Sequence, residues 1–443
     1  MASAAEQLAA NLNVEAFSKA TELHKRLWFT VVAMVIYRIG CYIPIPGIDI
    51  QAFSQAFQGQ ANGILGMFNM FSGGAVRNMA VFALNVMPYI SASIIVQLMG
   101  TVYPPWEKLR KEGGEAGRKQ LNQYTRYLAV VLAIGQSFAI AMGLQSQGVV
   151  YAPGLSFLVS TVVALTGGSL FMMWLGEQIT ARGVGNGVSL IIFAGIAAGL
   201  PQLTYQLLTM VKTGALSGFV LLIIAIMTAA VIAFIVFVER AQRRLLVQYP
   251  KRQVGNRMFG GEASHLPLKL NVSGVIPPIF ASSLLLIPTT VVTFNAQNVP
   301  DWLQTIVTYI SHGRPLYLFL YAVMIIFFAF FYTSIVFNPE ETAENLRKYG
   351  GFLPGIRPGK NTANFIDYVL TRITVVGALY LAVVCLIPEY LIYQYSIPFY
   401  LGGTSILIVV SVTMDTVAQI QSHLIAQQYE GLIKKAKLRG ARR

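Results

Sequence analysis

The sequence predicts an all-α protein that crosses a membrane many times. Hydrophobic residues make up 55% of its 443 residues and charged residues 11%, against about 25% charged in a typical soluble domain. The mean hydropathy is +0.60. A total of 18 acidic and 32 basic residues is too few to cover a soluble globule of this length, so the chain is expected to be a polytopic membrane protein.

Ten apolar segments are long enough to span a bilayer, for which a helix needs about 20 mainly apolar residues. They cover roughly residues 27–43, 80–101, 124–143, 155–178, 186–206, 215–238, 272–294, 316–337, 369–390 and 398–420. The polar N-terminus lacks the basic start and small-residue cleavage site of a secretory signal. The first segment is therefore expected to remain as a membrane anchor.

The distribution of Lys and Arg predicts the orientation. One side of the predicted membrane carries 28 of the 32 basic residues, the other side carries Arg77, Lys212 and Arg314, and Arg38 lies within the first span. Short cytoplasmic loops are the ones that carry an excess of Lys and Arg. Because ten spans return the chain to its starting side, both termini are expected in the cytoplasm.

The residues that usually carry chemistry are scarce. Cys41 and Cys385 lie in or beside apolar segments, and the four histidines are remote from one another in sequence. These features argue against a disulfide framework and a metal site. The sequence GIRPGKN (355–361) resembles a phosphate loop but lacks its hydroxyl ligand, and GxSxG and HExxH are absent. We predict no enzymatic activity and no cofactor.

Two basic loops on the predicted inner side, 239–271 and 338–368, are longer than connectors need to be. The first has the composition of a projecting hairpin, and the second starts with an acidic helix-start signature followed by Gly- and Pro-rich turns. One interpretation is that they enforce orientation and touch anionic lipid. The other is that they dock a large acidic partner.

An outer segment, GILGMFNMFSGGAVRN (63–78), is apolar but too short and Gly-rich to cross the membrane. Irregular backbone at membrane depth is tolerated only where protein or water covers it. A re-entrant element of this kind predicts a pore or cavity.

Ionisable residues within the spans are few. Arg38, Glu177 and Asp415 lie near span ends, where we expect structural roles rather than the ion sites that such residues often mark. Polar side chains occur instead in the second span (Asn85, Ser91, Ser93, Gln97) and the seventh (Ser282, Ser283, Thr289, Thr290). They form either ordinary interhelical hydrogen bonds or a seam that separates. On this basis a channel and a secondary transporter of a small solute are equal alternatives.

Two long motifs resemble the signature segments of the SecY family, whose members are central subunits of the Sec protein-conducting channel. They are FALNVMPYISASIIVQL (82–98) and WLGEQITARGVGNGVSLIIFAGI (174–196). Shorter matches in family order include YRIGCYIPIPGID (37–49), MFNMFSGGA (67–75) and GFLPGIRPG (351–359). The resemblance covers nearly the whole chain and favours protein translocation over solute transport.

The resemblance implies ten spans in two inverted five-helix halves, residues 1–207 and 208–443, around an hourglass pore. Segment 63–76 would be a short re-entrant plug helix that fills the outer funnel. Its implied plug residues are Gly63, Ile64, Leu65, Met67, Phe68, Met70, Phe71, Gly73 and Gly74.

The resemblance also implies a constriction and a lateral exit. An aliphatic ring would close around any passing chain while offering ions no fixed site, and an idle apolar neck resists wetting. The ring positions are Val86, Ile90, Ile191, Ile279 and Ile408. The lateral gate, through which membrane helices leave for lipid, is assigned to Ser91, Gln97, Ser283 and Ile287.

By the same resemblance, the two basic loops dock the SecA motor ATPase and the ribosome, whose RNA attracts basic side chains. The implied docking residues are Arg357, Pro358, Arg243, Arg244, Lys251 and Arg252. The other implied partners are the small membrane subunits SecE and SecG, preproteins that carry signal sequences, and anionic lipid. The implied location is the bacterial cytoplasmic (inner) membrane. Asn85, where the family commonly has glycine, and Pro278, where alanine is common, depart from the pattern near the constriction.

Overall fold

A computed structural model describes residues 21–60, 69–111, 113–214, 217–249, 252–254, 257–259, 263–294, 309, 314–395 and 402–440. The chain forms two compact units. The first unit holds the described residues of 1–205, 290–300 and 412–443, and the second holds those of 206–289 and 301–411.

Seven helices are described between residues 21 and 212. They are α1 Thr21–Gly40, α2 Ile50–Gln60, α3 Met87–Val102, α4 Pro104–Lys111, α5 Gly114–Ser146, α6 Leu155–Arg182 and α7 Gly187–Lys212. Helices α5 and α6 pack against each other, and α3 packs against α5. The apolar core of the first unit joins Phe53 of α2, Leu84 ahead of α3, Leu144 of α5 and Leu165 of α6.

The prediction of a helix over 80–101 is wrong at its start. Residues 81–86 form turns, and α3 begins only at Met87. Met79 and Asn85 have positive φ angles, 42° and 49°, which a right-handed helix excludes. Pro88 then lies in the first turn of α3, where its missing N–H costs no helical hydrogen bond.

The remaining described elements, from Gly218 to Gly440, are six helices and four strands. They are α8 Gly218–Arg240, β1 Gln242–Gln248, β2 Arg252–Val254, β3 Arg257–Phe259, β4 Ala263–Lys269, α9 Ile276–Phe294, α10 Pro315–Val336, α11 Pro339–Lys348, α12 Lys360–Tyr395 and α13 Gly403–Gly440. Strands β1 and β4 are antiparallel, with Leu245 opposite Leu266, and β2 pairs with β3. The predicted hairpin in 239–271 is confirmed.

The described chain contains seven helices long and apolar enough to cross a membrane. They comprise α5, α6, α7, α8, α10, the part of α12 up to Tyr390 and the part of α13 up to Ala426. Helix α3 is apolar but has 16 residues, and α1 carries Glu22, Lys25, Arg26 and Arg38 within its 20 residues. The protein is therefore a multi-pass membrane protein, and the total of ten spans remains a prediction.

The predicted loop 338–368 also ends earlier than expected. Helix α12 begins at Lys360, so residues 360–368, assigned to the end of the loop, belong to this helix. The acidic helix-start signature is confirmed, because the Asn338 side chain accepts hydrogen bonds from the backbone N–H groups of Glu340 and Glu341, at 3.1 and 3.4 Å. Asn338 is therefore the N-cap of α11.

Candidate functional site

The described part of the predicted plug, residues 69–76, lies between α1 and α3 in sequence and consists of a short helical stretch followed by turns. Residues 69–71 are helical and 72–79 form turns, with φ angles of 67° at Gly73 and 90° at Gly74. The Asn69 side chain accepts a hydrogen bond from the Arg77 backbone N–H at 2.8 Å. Phe71 and Ser72 are buried. Predicted plug residues Gly63, Ile64, Leu65, Met67 and Phe68 lie outside the described residues.

Three consecutive backbone carbonyls of this segment accept hydrogen bonds from side chains elsewhere in the first unit. The Asn85 amide donates to the Phe71 carbonyl at 2.7 Å. The Cys41 thiol donates to the Ser72 carbonyl at 3.6 Å, and the Arg38 guanidinium donates to the Gly73 carbonyl at 2.6 Å. Arg38, Cys41 and Asn85 are therefore the three residues whose side chains donate to these carbonyls.

The backbone of α7 approaches the plug segment so closely that only glycine fits at the contact. A Cβ added at Gly195 would lie 2.9 Å from the Phe71 carbonyl oxygen and 2.9 Å from the Tyr37 hydroxyl. A Cβ at Gly73 would lie 2.5 Å from that hydroxyl and 3.0 Å from the Gly195 Cα atom. Helices α1 and α7 thus enclose the segment.

Asn85 is held on both sides. Its side chain contacts Phe71, and its own carbonyl accepts a hydrogen bond from the Ser169 hydroxyl of α6 at 3.0 Å. The residue is buried, with a φ of 49°. Asn is one of the few residues besides glycine that adopt this left-handed backbone. Asn85 therefore adopts a backbone conformation that glycine also adopts, and its side chain adds a hydrogen-bond donor.

All five predicted ring residues are buried: Val86, Ile90, Ile191, Ile279 and Ile408. Val86 is the N-cap of α3 rather than a residue within it, and its carbonyl accepts the Ile90 N–H at 3.0 Å. The first unit contains Val86, Ile90 and Ile191, whereas the second contains Ile279 and Ile408. The ring as an assembly remains a prediction.

The predicted gate residues differ in their surroundings. Ser91 of α3 and Ser283 of α9 are buried. Gln97 is partly exposed and donates to the Ser93 hydroxyl at 3.1 Å. Ile287 lies in α9, but its side chain is outside the described part. The gate also remains a prediction.

The two predicted docking loops pack together into one body of the second unit. Gln248 of β1 and Phe352 exchange two backbone hydrogen bonds, of 2.9 and 3.0 Å. A shared apolar cluster joins Leu245 and Val247 of β1 with Leu353 and Ile366. The chain therefore builds a single small domain from loops that lie about 100 residues apart in sequence.

The basic side chains on this small domain face outward. Arg243, Arg244, Arg357 and Pro358 are exposed. The Arg357 carbonyl accepts a hydrogen bond from the Thr362 hydroxyl in the first turn of α12, at 3.1 Å. This bond holds the turn that carries Arg357. Arg252 lies in β2, with its side chain outside the described part, and Lys251 lies outside the described residues.

The charged residues within or near the predicted spans have different surroundings. Glu177 of α6 forms a bidentate ion pair with Arg126 of α5, at 2.8 and 2.9 Å, and Asp415 is exposed. Arg38 has a specific role that its place near a span end did not suggest, since it binds the plug segment. Glu389 of α12, which was not among the predicted site residues, is buried. An acidic residue inside an apolar run was the available signal.

The described residues contain no group of three or more His, Cys, Asp or Glu side chains placed to hold a metal ion.

Named relatives match nearly the whole chain. The SecY family model matches residues 80–417. The protein translocase subunit SecY of Rickettsia typhi is 53% identical over 430 residues, which cover 96% of this chain and 99% of the relative. The SecY subunit of Escherichia coli K12 is 53% identical over 424 residues, 95% and 96% of the two chains.

Three solved structures share the fold, and each match covers 90% of this chain and 92% of the other. One is described as a protein-conducting channel, with a TM-score of 0.67 at 16% identity. A second concerns the plug domain of the SecY protein, which is said to stabilise the closed state of the translocation channel and to maintain a membrane seal. Its TM-score is 0.66 at 17% sequence identity. A third is Sec61 in the canine ribosome-channel complex from the endoplasmic reticulum, with a TM-score of 0.61 at 17% sequence identity. The chain therefore belongs to the SecY family of protein translocase subunits.

Proposed function

We propose that this SecY-family subunit is the protein-conducting channel of the general secretory pathway. It passes unfolded preproteins across the bacterial cytoplasmic membrane and releases membrane helices sideways into the lipid. The SecA motor or a translating ribosome supplies the driving force, so the chain itself needs no catalytic group. In this proposal the spans form two inverted halves, 1–207 and 208–443, around the pore.

One observation carries this proposal beyond family membership. Asn85, whose amide binds the predicted plug segment, is followed directly by Val86, a predicted ring residue. The plug segment and the aliphatic constriction are thus joined through adjacent residues of one backbone. A channel needs this adjacency, because a plug can seal the outer funnel only where it rests against the neck.

The constriction is proposed to be Val86, Ile90, Ile191, Ile279 and Ile408. All five side chains are aliphatic and buried. Such a neck binds no particular sequence, which suits a pore for arbitrary polypeptide, and a narrow apolar constriction excludes water and ions when idle. The lateral gate is proposed to lie along α3 and α9, at Ser91, Gln97, Ser283 and Ile287. A polar contact between membrane helices is worth only about 0.6 kcal/mol, so a gate lined by such side chains would open at low cost.

The small domain formed by β1, β4 and α11 is proposed to be the docking site for SecA and the ribosome. Its exposed Arg243, Arg244 and Arg357 match the phosphates of ribosomal RNA, and the fold shared with a ribosome-bound channel supports the ribosome as a partner. The proposed complex also contains SecE and SecG, and the basic side chains outside the dock contact anionic lipid. The orientation is proposed to place this domain and both termini in the cytoplasm.

Photocrosslinking tests the pore. A photoreactive amino acid at Ile90 or Ile408, in vesicles that contain the partner subunits and the motor, should capture a stalled preprotein. Val131 of α5, whose side chain is 64% exposed, provides the control position and should capture lipid instead. Preprotein captured at Val131 but at neither ring position would contradict the pore assignment.

A further inference from the structure

The backbone carbonyls of the plug segment accept hydrogen bonds from side chains outside the segment. The carbonyls of Phe71 and Gly73 each accept a short hydrogen bond, from Asn85 at 2.7 Å and from Arg38 at 2.6 Å. Between them, the Ser72 carbonyl accepts a long contact from the Cys41 thiol, at 3.6 Å, which is a weak donor, and a 3.4 Å hydrogen bond from the Ala75 backbone N–H within the same segment. Two strong donors therefore bind carbonyls that are two residues apart. Arg38 of α1 binds the Gly73 carbonyl, and Asn85, the residue before Val86, binds the Phe71 carbonyl.

We propose that Arg38 and Asn85 are positioning residues that latch the plug in the closed channel. This inference rests on the proposed channel function and adds to it the residues that hold the seal. Because both acceptors are backbone carbonyls, the latch requires no polar side chain from the plug itself. Opening has to break both hydrogen bonds.

The hydrogen bond of Arg38 compensates the energetic cost of its charge. An arginine within a span is costly unless its charge has a partner, and a charge-assisted hydrogen bond is roughly twice as strong as a neutral one. Its second nitrogen donates to the Tyr42 hydroxyl at 3.0 Å, and its guanidinium carbon lies 5.4 Å from the centre of the Tyr42 ring. These contacts orient the group toward the Gly73 carbonyl.

The Asn85 bond connects the latch to the predicted ring. A polypeptide that pushes Val86 aside also displaces its neighbour Asn85, and the amide then loses the Phe71 carbonyl. Entry of a chain into the neck would in this way release the plug. A glycine at position 85 retains the left-handed backbone but not the amide, so channels with glycine there lack this connection.

Ion leakage through idle channels tests the latch directly. The complete translocase complex is reconstituted in vesicles without preprotein, and halide leakage is measured together with the thermal unfolding midpoint. Asn85→Gly should fold normally, since glycine adopts the 49° φ of this position without strain. It should leak about fivefold faster than wild type, the ratio that corresponds to one lost hydrogen bond of ordinary strength.

Arg38 gives a second, independent measurement. Arg38→Met should raise leakage by roughly tenfold or more, as loss of a charged hydrogen bond predicts. Arg38→Lys, which keeps a charged donor, should leak at an intermediate rate. The matched control is Ser137→Ala, which breaks a buried 3.2 Å hydrogen bond to Thr166 in the same unit without touching the plug segment, and should leave leakage unchanged.

The outcomes separate the latch from the channel function. Leakage from Asn85→Gly and Arg38→Met no greater than from Ser137→Ala would overturn the latch, even if the wild-type complex transports preprotein. Leakage that rises only in proportion to a lowered unfolding midpoint would also overturn it, because a general loss of stability would then explain the result. Failure of the wild-type complex to transport preprotein would overturn the channel function instead.

Discussion

Adjacent glycines in α6 have different surroundings. A Cβ added at Gly168 would overlap the carbonyl oxygen of Val81, in the turns ahead of α3. A Cβ at Gly167 would meet nothing within 4 Å. The next residue, Ser169, is the one that binds the Asn85 carbonyl. Small residues at 168 and 169 therefore let the backbone that carries Asn85 and Val86 lie directly on α6.

We predict that Gly168→Ala destabilises the protein and that Gly167→Ala does not. Forcing a methyl group into a packed contact costs about 1–3 kcal/mol, whereas alanine in place of an exposed helical glycine is neutral or stabilising by up to about 1 kcal/mol. Denaturant unfolding in detergent, followed by helical circular dichroism, measures both. Equal stability of the two variants would show that α6 and the 79–86 segment are not in the close contact described.

At the level of single residues, the sequence identified types but not contacts. Val86 and Ile90 were named for the ring through family resemblance, and Arg38 was expected merely to sit near a span end. Its hydrogen bond to Gly73 joins residues 35 positions apart. A contact of that separation depends on where the turns place the chain, and no local pattern records it.

Among the elements, the hairpin and α11 followed local rules. Strand β1 has buried Leu245 and Val247 alternating with exposed residues, the period of two that a half-buried strand requires. Helix α11 has Asn338 as its N-cap, Pro339 in its first turn and Arg347 and Lys348 in its last turn, which complements the helix dipole. The start of α3 was predicted too early, because the apolar run continues through residues 81–86, which form turns rather than helix.

The docking turn provides a prediction at this scale. Arg357→Glu should abolish motor-driven preprotein transport, since it reverses the charge of an exposed side chain on a turn held by Thr362. Membrane insertion of the protein itself should be unaffected. Transport into inverted membrane vesicles measures the first effect, and immunoblotting of the membrane fraction measures the second.

Arg347→Glu is the matched control for that experiment. Arg347 is also exposed and lies in the last turn of α11, within the same loop, but outside the predicted docking set. It should transport at close to the wild-type rate. Normal transport by Arg357→Glu, or equal loss in both variants, would contradict a specific role for the turn at 356–359.

For the whole molecule, the strongest feature is the imbalance of basic residues between the two predicted sides, 28 against three. The basic residues of the small domain belong to the predicted inner side, so they would contribute both to the orientation and to the proposed dock. Positive charge retained on the cytoplasmic side fixes the direction of insertion. The same charge would attract ribosomal RNA through its phosphates.

Reporter fusions test this orientation. Alkaline phosphatase, which is active only outside the cytoplasm, should be active when inserted after Thr213, between α7 and α8, and inactive when fused after Arg443. A cytoplasmic fluorescent reporter should show the reverse pattern at the two sites. Phosphatase activity at the C-terminus would show that the predicted orientation is inverted.

The sequence by itself determined the class of the protein, its family and its local elements. Scarce charge and long apolar runs require a bilayer, and long motifs in a fixed order identify a SecY-type subunit, because these are properties of contiguous residues. Only the tertiary structure decided which distant groups meet. It placed the side chains of Arg38 and Asn85 on the carbonyls of Gly73 and Phe71, and it joined two loops about 100 residues apart into one domain. The physical reason is that a buried donor takes whichever acceptor the packing brings within about 3 Å, and packing depends on the whole chain.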